Sequence, residues 1–462
     1  MNITASHSPR SHTLSRMASK SPSLEDWNQF LKPGPGEGDC VVPGLRADEP
    51  LPGSIAEVRQ QVSRLDYLPL DPFVASVAAS VAANQAEIPK GEASVGVKVP
   101  GYYAEDVEVL MGTHNGPSVP MLVILPGIHS SGTGSHSQLL KKLALERGMN
   151  YVLLPNSMSK DMLEDKPDFH PGNPRVDALW SRQLVGSLKE RYPEYFSSIS
   201  VAGYSYGALQ GANLIRLDEE SQERLIDGSL VALSPPENLE HSMRQLDGLR
   251  QSYQKDGSAT ISDTGVHYKF DVKKYGYERF MESKLAQHGP GSNVDECEIA
   301  DKYGSRDSLK ELVEIVDTQF GHNLLPMNTE HYKKANLLEK VRMRQEHKRM
   351  VEDITYDQLS ARWMSQDDWL SQHGLTPTEM ADRYSFSRAM DAIEKTAVLV
   401  MASADDYILA SSDVQTLRSL EADPGELEVV RVFETGGHVG LDWNPKIAET
   451  AIDFAMAPKQ LQ

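Results

Sequence analysis

The sequence predicts an α/β fold, a mostly parallel sheet covered by helices on both faces, with a large, mainly helical cap inserted before an acid-bearing strand. Three observations predict it. Short apolar runs of strand length alternate with helical stretches through residues 98–234 and again through 391–462, the pattern of a parallel sheet buried on both sides. A strand, a sharp turn and a helix follow one another within Ser198–Leu217. The stretch between Leu233 and Ala397 has a different, mostly helical texture and interrupts the alternation.

Each element follows in order. Residues 1–50 are polar and punctuated by Pro33-Gly34-Pro35-Gly36, which predicts a flexible lead. Residues 51–97 read as a helical segment, with helical spacing at Ile55–Leu65 and in the small-residue run Phe73–Gln85. Val107–Met111 alternates, Asn115-Gly116 offers a turn and Val119–Leu125 runs apolar, which predicts a hairpin leading into a buried strand. A helix at Ser137–Glu146, a strand at Tyr151–Leu154, a polar loop with prolines and a helix at Val176–Arg191 come next. Ile199–Ala202 and Ser229–Leu233 read as strands on either side of a helix at Ala208–Leu217. Ala397–Ala402 and Leu427–Phe433 are two more strands, with a helix near Asp413–Glu421 between them and another at Ile447–Met456.

Within the interruption, helical patterns occur at Leu239–Tyr253, Tyr277–Gln287, Ser308–Thr318 and around Glu330–Val351, with one strand candidate at Val266–Val272. The block 235–390 lies between two core strands, so an inserted cap that roofs the site is expected. Lys333, Lys334, Lys340, Arg342, Arg344, Lys348 and Arg349 outnumber Glu330, Glu339 and Glu346 there. A helix so charged is either a solvated face or a weak peripheral membrane contact.

A net charge of −20 argues against a nucleic-acid partner, because phosphates require a basic surface. No apolar run is long enough for a membrane span, and the N-terminus lacks the apolar core of a secretory signal. Residues 1–24 are serine-rich, contain Arg10, Arg16 and Lys20 and no acid, and read as a disordered tail or a faint transit-peptide likeness. Cys40 and Cys297 are far apart and make neither a disulfide framework nor a metal-ligand spacing, which fits a reducing, cytoplasmic setting.

The chemistry is concentrated in Gly203-Tyr204-Ser205-Tyr206-Gly207. A serine on a strand-to-helix turn is forced into a strained conformation, and glycines two residues before and after it remove side chains that would collide. Such a turn aims the Ser205 hydroxyl out of the sheet near the positive end of the following helix. A serine hydroxyl needs a base, and the base needs an orienting acid. In this architecture the acid follows the next-to-last strand and the histidine the last. Ser403-Ala404-Asp405-Asp406-Tyr407 and Thr435-Gly436-Gly437-His438-Val439-Gly440 stand in those two places. Asp406 is taken as the acid, with Asp405 capping the turn or bonding backbone amides; Glu237 or Glu240 in the loop after the preceding strand is the alternative. An oxyanion needs two backbone N–H groups. Tyr206, directly after the serine, supplies one. Ile128, in Pro126-Gly127-Ile128-His129, supplies the other; Gly127 permits close approach and His129 flanks the pocket. No metal or organic cofactor is required.

These residues resemble the α/β-hydrolase superfamily, and within it the YheT-like esterase branch. The likeness rests on Gly203–Gly207, on Gly437-His438-Val439-Gly440, on Asp405-Asp406-Tyr407-Ile408 and on Phe169-His170-Pro171-Gly172. It extends from about Tyr103 to Met456, apart from much of the insertion. Pro126 replaces the branch's usual His, Tyr204 and Tyr206 its Phe and Leu, and Tyr407 a common Pro. The resemblance implies a carboxylic-ester hydrolase acting on a small-molecule acyl ester. The same triad would serve an acyltransferase, and a catalytically idle binding protein is the reading from another class.

Overall fold

A computed structural model describes residues 52–65, 92–103, 105–128, 135–159, 169–255 and 355–457, with isolated positions between them. Eight strands form one sheet in the order β1-β2-β4-β3-β5-β6-β7-β8. They are β1 Ala93–Val97, β2 Val107–Gly112, β3 Met121–Leu125, β4 Asn150–Leu153, β5 Ile199–Tyr204, β6 Leu230–Leu233, β7 Val398–Ser403 and β8 Glu428–Phe433. From β4 to β8 every neighbouring pair is parallel. Only β1 with β2 and β2 with β4 run antiparallel.

The central strands are apolar throughout because both of their faces are covered. All five residues of β3 (MLVIL) are buried, and successive side chains enter opposite cores. Met121, Val123 and Leu125 join Val201, Val400 and Trp180 on one face, whereas Leu122 and Ile124 join Tyr151, Leu399 and Phe454 on the other. The first face is packed by helices α3 (Pro174–Arg191) and α4 (Tyr206–Glu220), the second by α1 (Ile55–Ser63), α2 (Ser135–Glu146) and α11 (Pro445–Met456). Local chemistry sets the helix ends. Asn173 caps α3 by accepting from the Arg175 and Val176 amides, with Pro174 in the first turn and Lys189 and Arg191 in the last.

Two expectations at the N-terminal side of the sheet are corrected. Val107–Met111 and Val119–Leu125 do not pair as a hairpin: β4 inserts between them, antiparallel to β2 and parallel to β3. The turn at Asn115-Gly116 does form, with Gly116 at φ 81° and its amide donating to Thr113 O. A second left-handed residue, Ser118 at φ 66°, follows it, and its amide donates to Glu194 O, away from β2. The stretch 51–97 is also not helical to its end, because Ala93–Val97 is the edge strand β1.

Between β6 and β7 the described chain is helical: α5 Leu239–Lys255, α6 Tyr356–Met364, α7 Asp368–His373, α8 Pro377–Arg383 and α9 Phe386–Met390. Asp247 of α5 accepts from the amides of Tyr356 and Asp357, so a side chain before residue 256 caps a helix after residue 355. Met364, Leu370, Met380 and Tyr384 form a small apolar cluster of their own. Phe386 of α9 is buried in the core of the first face, and Asn213 of α4 donates to Tyr384 O. Helix α10 (Ser411–Ala422) links β7 to β8. The lead 1–50, the cysteines, His129, the strand candidate Val266–Val272, the helices expected at Tyr277–Gln287 and Ser308–Thr318, and most of Phe73–Gln85 and of the basic stretch lie outside the described residues. No helix among the described residues is long and apolar enough to cross a membrane.

Candidate active site

The site forms at the C-terminal ends of β3, β5, β7 and β8, where the loops of a parallel sheet converge. Ser205 follows β5 with φ 54° and ψ −130°, a strained conformation for a residue with a side chain. The neighbouring glycines show why the chain accepts it. A Cβ on Gly203 would collide with the carbonyl of Gly207, and one on Gly207 with the carbonyl of Leu125 on the adjacent strand. Further along, a Cβ on Gly211 would sit 3.1 Å from Leu230, so helix and sheet are close there too. The Ser205 amide donates to Leu233 O at 2.9 Å, which ties the turn to β6.

The histidine loop follows β8. Gly436 and Gly437 adopt φ 144° and 61°, and Val439 adopts φ 55°, so His438 sits between two left-handed residues. The Gly437 amide donates to Asp405 Oδ1 at 2.8 Å and the Val439 amide to Ser234 Oγ at 3.2 Å. Burial raises the Asp405 carboxyl above its ordinary range, and the amides of Gly437 and Gly436 partly offset this.

These loops bring three expected residues together. Ser205 Oγ lies 2.8 Å from His438 Nε2, and His438 Nδ1 lies 2.9 Å from Asp406 Oδ2. A carboxylate only accepts, so Nδ1 carries the proton and the Nε2 lone pair faces the serine hydroxyl. The other oxygen of Asp406 accepts from the Ile408 amide at 3.0 Å, which fixes the carboxylate plane. Asp406 is 3% exposed and Ser205 8%, so the chain of bonds lies in a largely dry setting. The Tyr407 ring stands edge-on to His438, with centroids 5.9 Å apart. The alternative acids Glu237 and Glu240 are engaged elsewhere. Glu237 accepts from the Ser387 amide and hydroxyl, and Glu240 pairs with Arg244.

Gly127 lies against the turn, where a Cβ would come 3.3 Å from Ser205 Cβ, and Ile128 follows it, packed on the core of the first face. Tyr206 opens α4, and the first amides of a helix have no partner within it. Among the described residues no group of three or more His, Cys, Asp or Glu could hold a metal ion.

The segment Phe169-His170-Pro171-Gly172 has a structural task. Trp363 Nε1 donates to Pro171 O at 2.7 Å, the His170 ring lies 4.4 Å from that of Trp363, and Asn173 donates to Asp367 at 2.7 Å. It is the seat on which α6 and the start of α7 rest. Burial lowers the His170 imidazole below its usual range.

Sequence reasoning missed Asp177, which is completely buried behind the serine turn. Tyr206 Oη donates to its Oδ2, and so does the Gly172 amide at 3.0 Å. Burial pushes its carboxyl up to about 7, against the hydrogen bonds from Tyr206 and Gly172. A signal was present, because Asp177 falls on the same helical stripe as Trp180, Ser181, Leu184 and Leu188, all buried.

No family model matches this sequence, and no curated protein matches it. Among solved structures, an esterase of Pyrococcus furiosus is similar with a TM-score of 0.38 and 14% identity, over 78% of this chain and 89% of that one. A Pyrobaculum calidifontis esterase gives 0.42 and 12%, over 87% and 98%. The proline iminopeptidase of Mycobacterium smegmatis gives 0.39 and 13%, over 79% and 99%. The strand order, the parallel centre and the strained serine turn after β5 are those of the α/β-hydrolase fold, on which this site is built.

Proposed function

We propose that this protein is a serine hydrolase that cleaves carboxylic esters through Ser205, His438 and Asp406. The observation that carries the reading is the continuous bond path from Ser205 Oγ through the imidazole to Asp406. Ser205 Oγ attacks the ester carbonyl while His438 Nε2 takes its proton. The carbonyl oxygen becomes an oxyanion, held by the amides of Tyr206 and Ile128. His438 then gives the proton to the departing alcohol, leaving an acyl group on Ser205. Water, deprotonated by the same imidazole, attacks the acyl carbon; the bond to Ser205 Oγ breaks, Oγ takes the proton back from His438, and the acid leaves. Asp406 holds the imidazole in the required tautomer and stabilises the imidazolium.

The same reading takes residues 235–390 as a cap over the site and places the chain near the YheT-like esterases. The seating of α6 and α7 on Pro171 and Asn173 supports the first part, and the motifs around Ser205, Asp406 and His438 support the second.

A fluorophosphonate probe and p-nitrophenyl butyrate test the reading on the native chain, Ser205→Ala and His438→Ala. The expected outcome is labelling of the native chain alone and a fall in turnover of about 10⁴-fold or more in either variant. Native turnover in Ser205→Ala would overturn it.

A further inference from the structure

The two residues flanking Ser205 are tyrosines, and their hydroxyls point to opposite sides of the sheet. Tyr204 is the last residue of β5 and belongs to the core of the second face. Its Oη lies 3.0 Å from Ser137 Oγ, in the first turn of α2, and 3.2 Å from Ser130 Oγ. Ser130 is two residues beyond Ile128, and its amide closes a turn on Gly127 O at 3.1 Å. The Tyr204 hydroxyl thus bonds the loop that carries one expected oxyanion donor.

Tyr206 turns to the other face and is 1% exposed. Its hydroxyl donates to Asp177, and one turn later Gln210 Nε2 donates to Asp177 O at 3.3 Å and to Ser181 Oγ at 2.7 Å. The first turn of α4 is thereby bolted to α3 by side chains rather than by apolar contact alone. The groups facing the Asp177 carboxyl are Tyr206, Ser157, the Gly172 amide and the carboxylate of Asp367; Tyr102 and Arg175 lie near the same pocket. None of the four groups facing the carboxyl is a cation, so a charged Asp177 is costly to bury there. A phenylalanine and a leucine would fill both positions without such a cost.

We propose that the hydroxyls of Tyr204 and Tyr206 are positioning groups for the oxyanion hole, one on each side of the nucleophile. Tyr204 holds the loop of Ile128 through Ser130 and Ser137. Tyr206 holds its own backbone amide in aim through Asp177. Neither hydroxyl touches substrate. Both act on the direction of N–H groups, whose contribution depends steeply on alignment. The proposal rests on the hydrolase reading above.

The test is the rate of labelling by a fluorophosphonate, whose phosphoryl oxygen enters the same hole, with kcat and KM for p-nitrophenyl butyrate measured alongside. Tyr204→Phe and Tyr206→Phe are each expected to slow labelling and lower kcat about tenfold, less than the 10²–10³-fold of deleting an oxyanion donor outright. KM should stay within about twofold, a split that general loosening of the core would not produce. Asp177→Ala should slow labelling at least as much as Tyr206→Phe, since it also frees the Gly172 amide, and the double variant should be no slower than Asp177→Ala alone, because each loses the Tyr206–Asp177 bond. Asp177→Asn keeps an acceptor for the tyrosine and should recover most of the rate. If Tyr206→Phe does not fold, the Asp177→Ala and Asp177→Asn pair reads the same bond from its other end. Native labelling rates in both tyrosine variants, with Ser205→Ala unlabelled, would overturn this proposal and leave the hydrolase reading standing. Labelling that survives Ser205→Ala would overturn both.

Discussion

The serine turn after β5 and the histidine turn after β8 look alike and are held differently. Each presents its side chain at a strand's C-terminal end, and each contains a non-glycine residue in the left-handed region, Ser205 at φ 54° and Val439 at φ 55°. The serine turn is fixed by exclusion, since the backbones of β3, β5 and α4 leave no room for a Cβ at Gly203 or Gly207. In the histidine turn a Cβ on Gly436 would meet side-chain atoms of Ser403 and Leu441 instead, and the turn is held as well by bonds that the amides of Gly437 and Val439 donate to Asp405 and Ser234. Steric exclusion tolerates no gradation, whereas a hydrogen-bonded loop can loosen by degrees. Ser205 is therefore placed mainly by backbone contacts, and His438 by side chains and hydrogen bonds.

The largest expected effect tests the rigid side. Gly207→Ala places a methyl group into the Leu125 carbonyl, so β3 or α4 must move. A loss of roughly 3 kcal/mol or more is expected, read as a sharp fall in melting temperature together with lost labelling. A well-folded, active Gly207→Ala would remove the distinction between the two turns.

The intermediate effect tests the bonded side. Asp405→Ala leaves Asp406 and its bond to His438 intact but frees the Gly437 amide. Turnover should fall about ten- to hundredfold, as expected for a misplaced catalytic group, with a melting temperature close to native. Equal loss of stability and activity would show that this loop, too, is part of the rigid frame.

The smallest effect on turnover is a pH dependence behind the serine turn. Asp177 has its carboxyl pushed up to about 7, chiefly by burial. Between the ordinary carboxylate range and that value, the folded chain binds more protons than the unfolded one. Stability is therefore greatest at the acid side of this window and falls as pH rises through it. Asp177→Asn should flatten that fall in melts between pH 5 and 8. Glu449, also pushed up to about 7 by burial, leaves a residual slope. A slope unchanged in Asp177→Asn would mean that Asp177 is already ionised at the acid end.

The sequence made legible whatever is local. Runs such as MLVIL and VLVMA announce strands buried on both faces, and the order of serine, acid and histidine could be read from loops at strand ends. Pairing was not all local: Val107–Gly112 has the nearby β1 on one side, but its other neighbour is β4, across the whole of β3 and α2. Alternation followed by Asn-Gly looks the same whether or not the two runs meet. Strand β1 was missed because ASVGV has small residues and an exposed edge, with little apolar signal. The tyrosine hydroxyls were illegible for a similar reason: their partners Ser137 and Asp177 lie 67 and 29 positions away. An acid in the first turn of a helix ordinarily reads as a surface residue favoured by the helix dipole.

His438 follows Ser205 by 233 positions, and this spacing has a consequence during synthesis. At about 5–20 residues per second, a ribosome needs roughly 10–50 s to travel from one to the other. For that interval the serine turn can be complete, with its strands paired, while the hydroxyl has no imidazole beside it. On the hydrolase reading proposed above, the nascent chain is chemically quiet over that interval, because the Ser205–His438 bond forms only when the last strand docks.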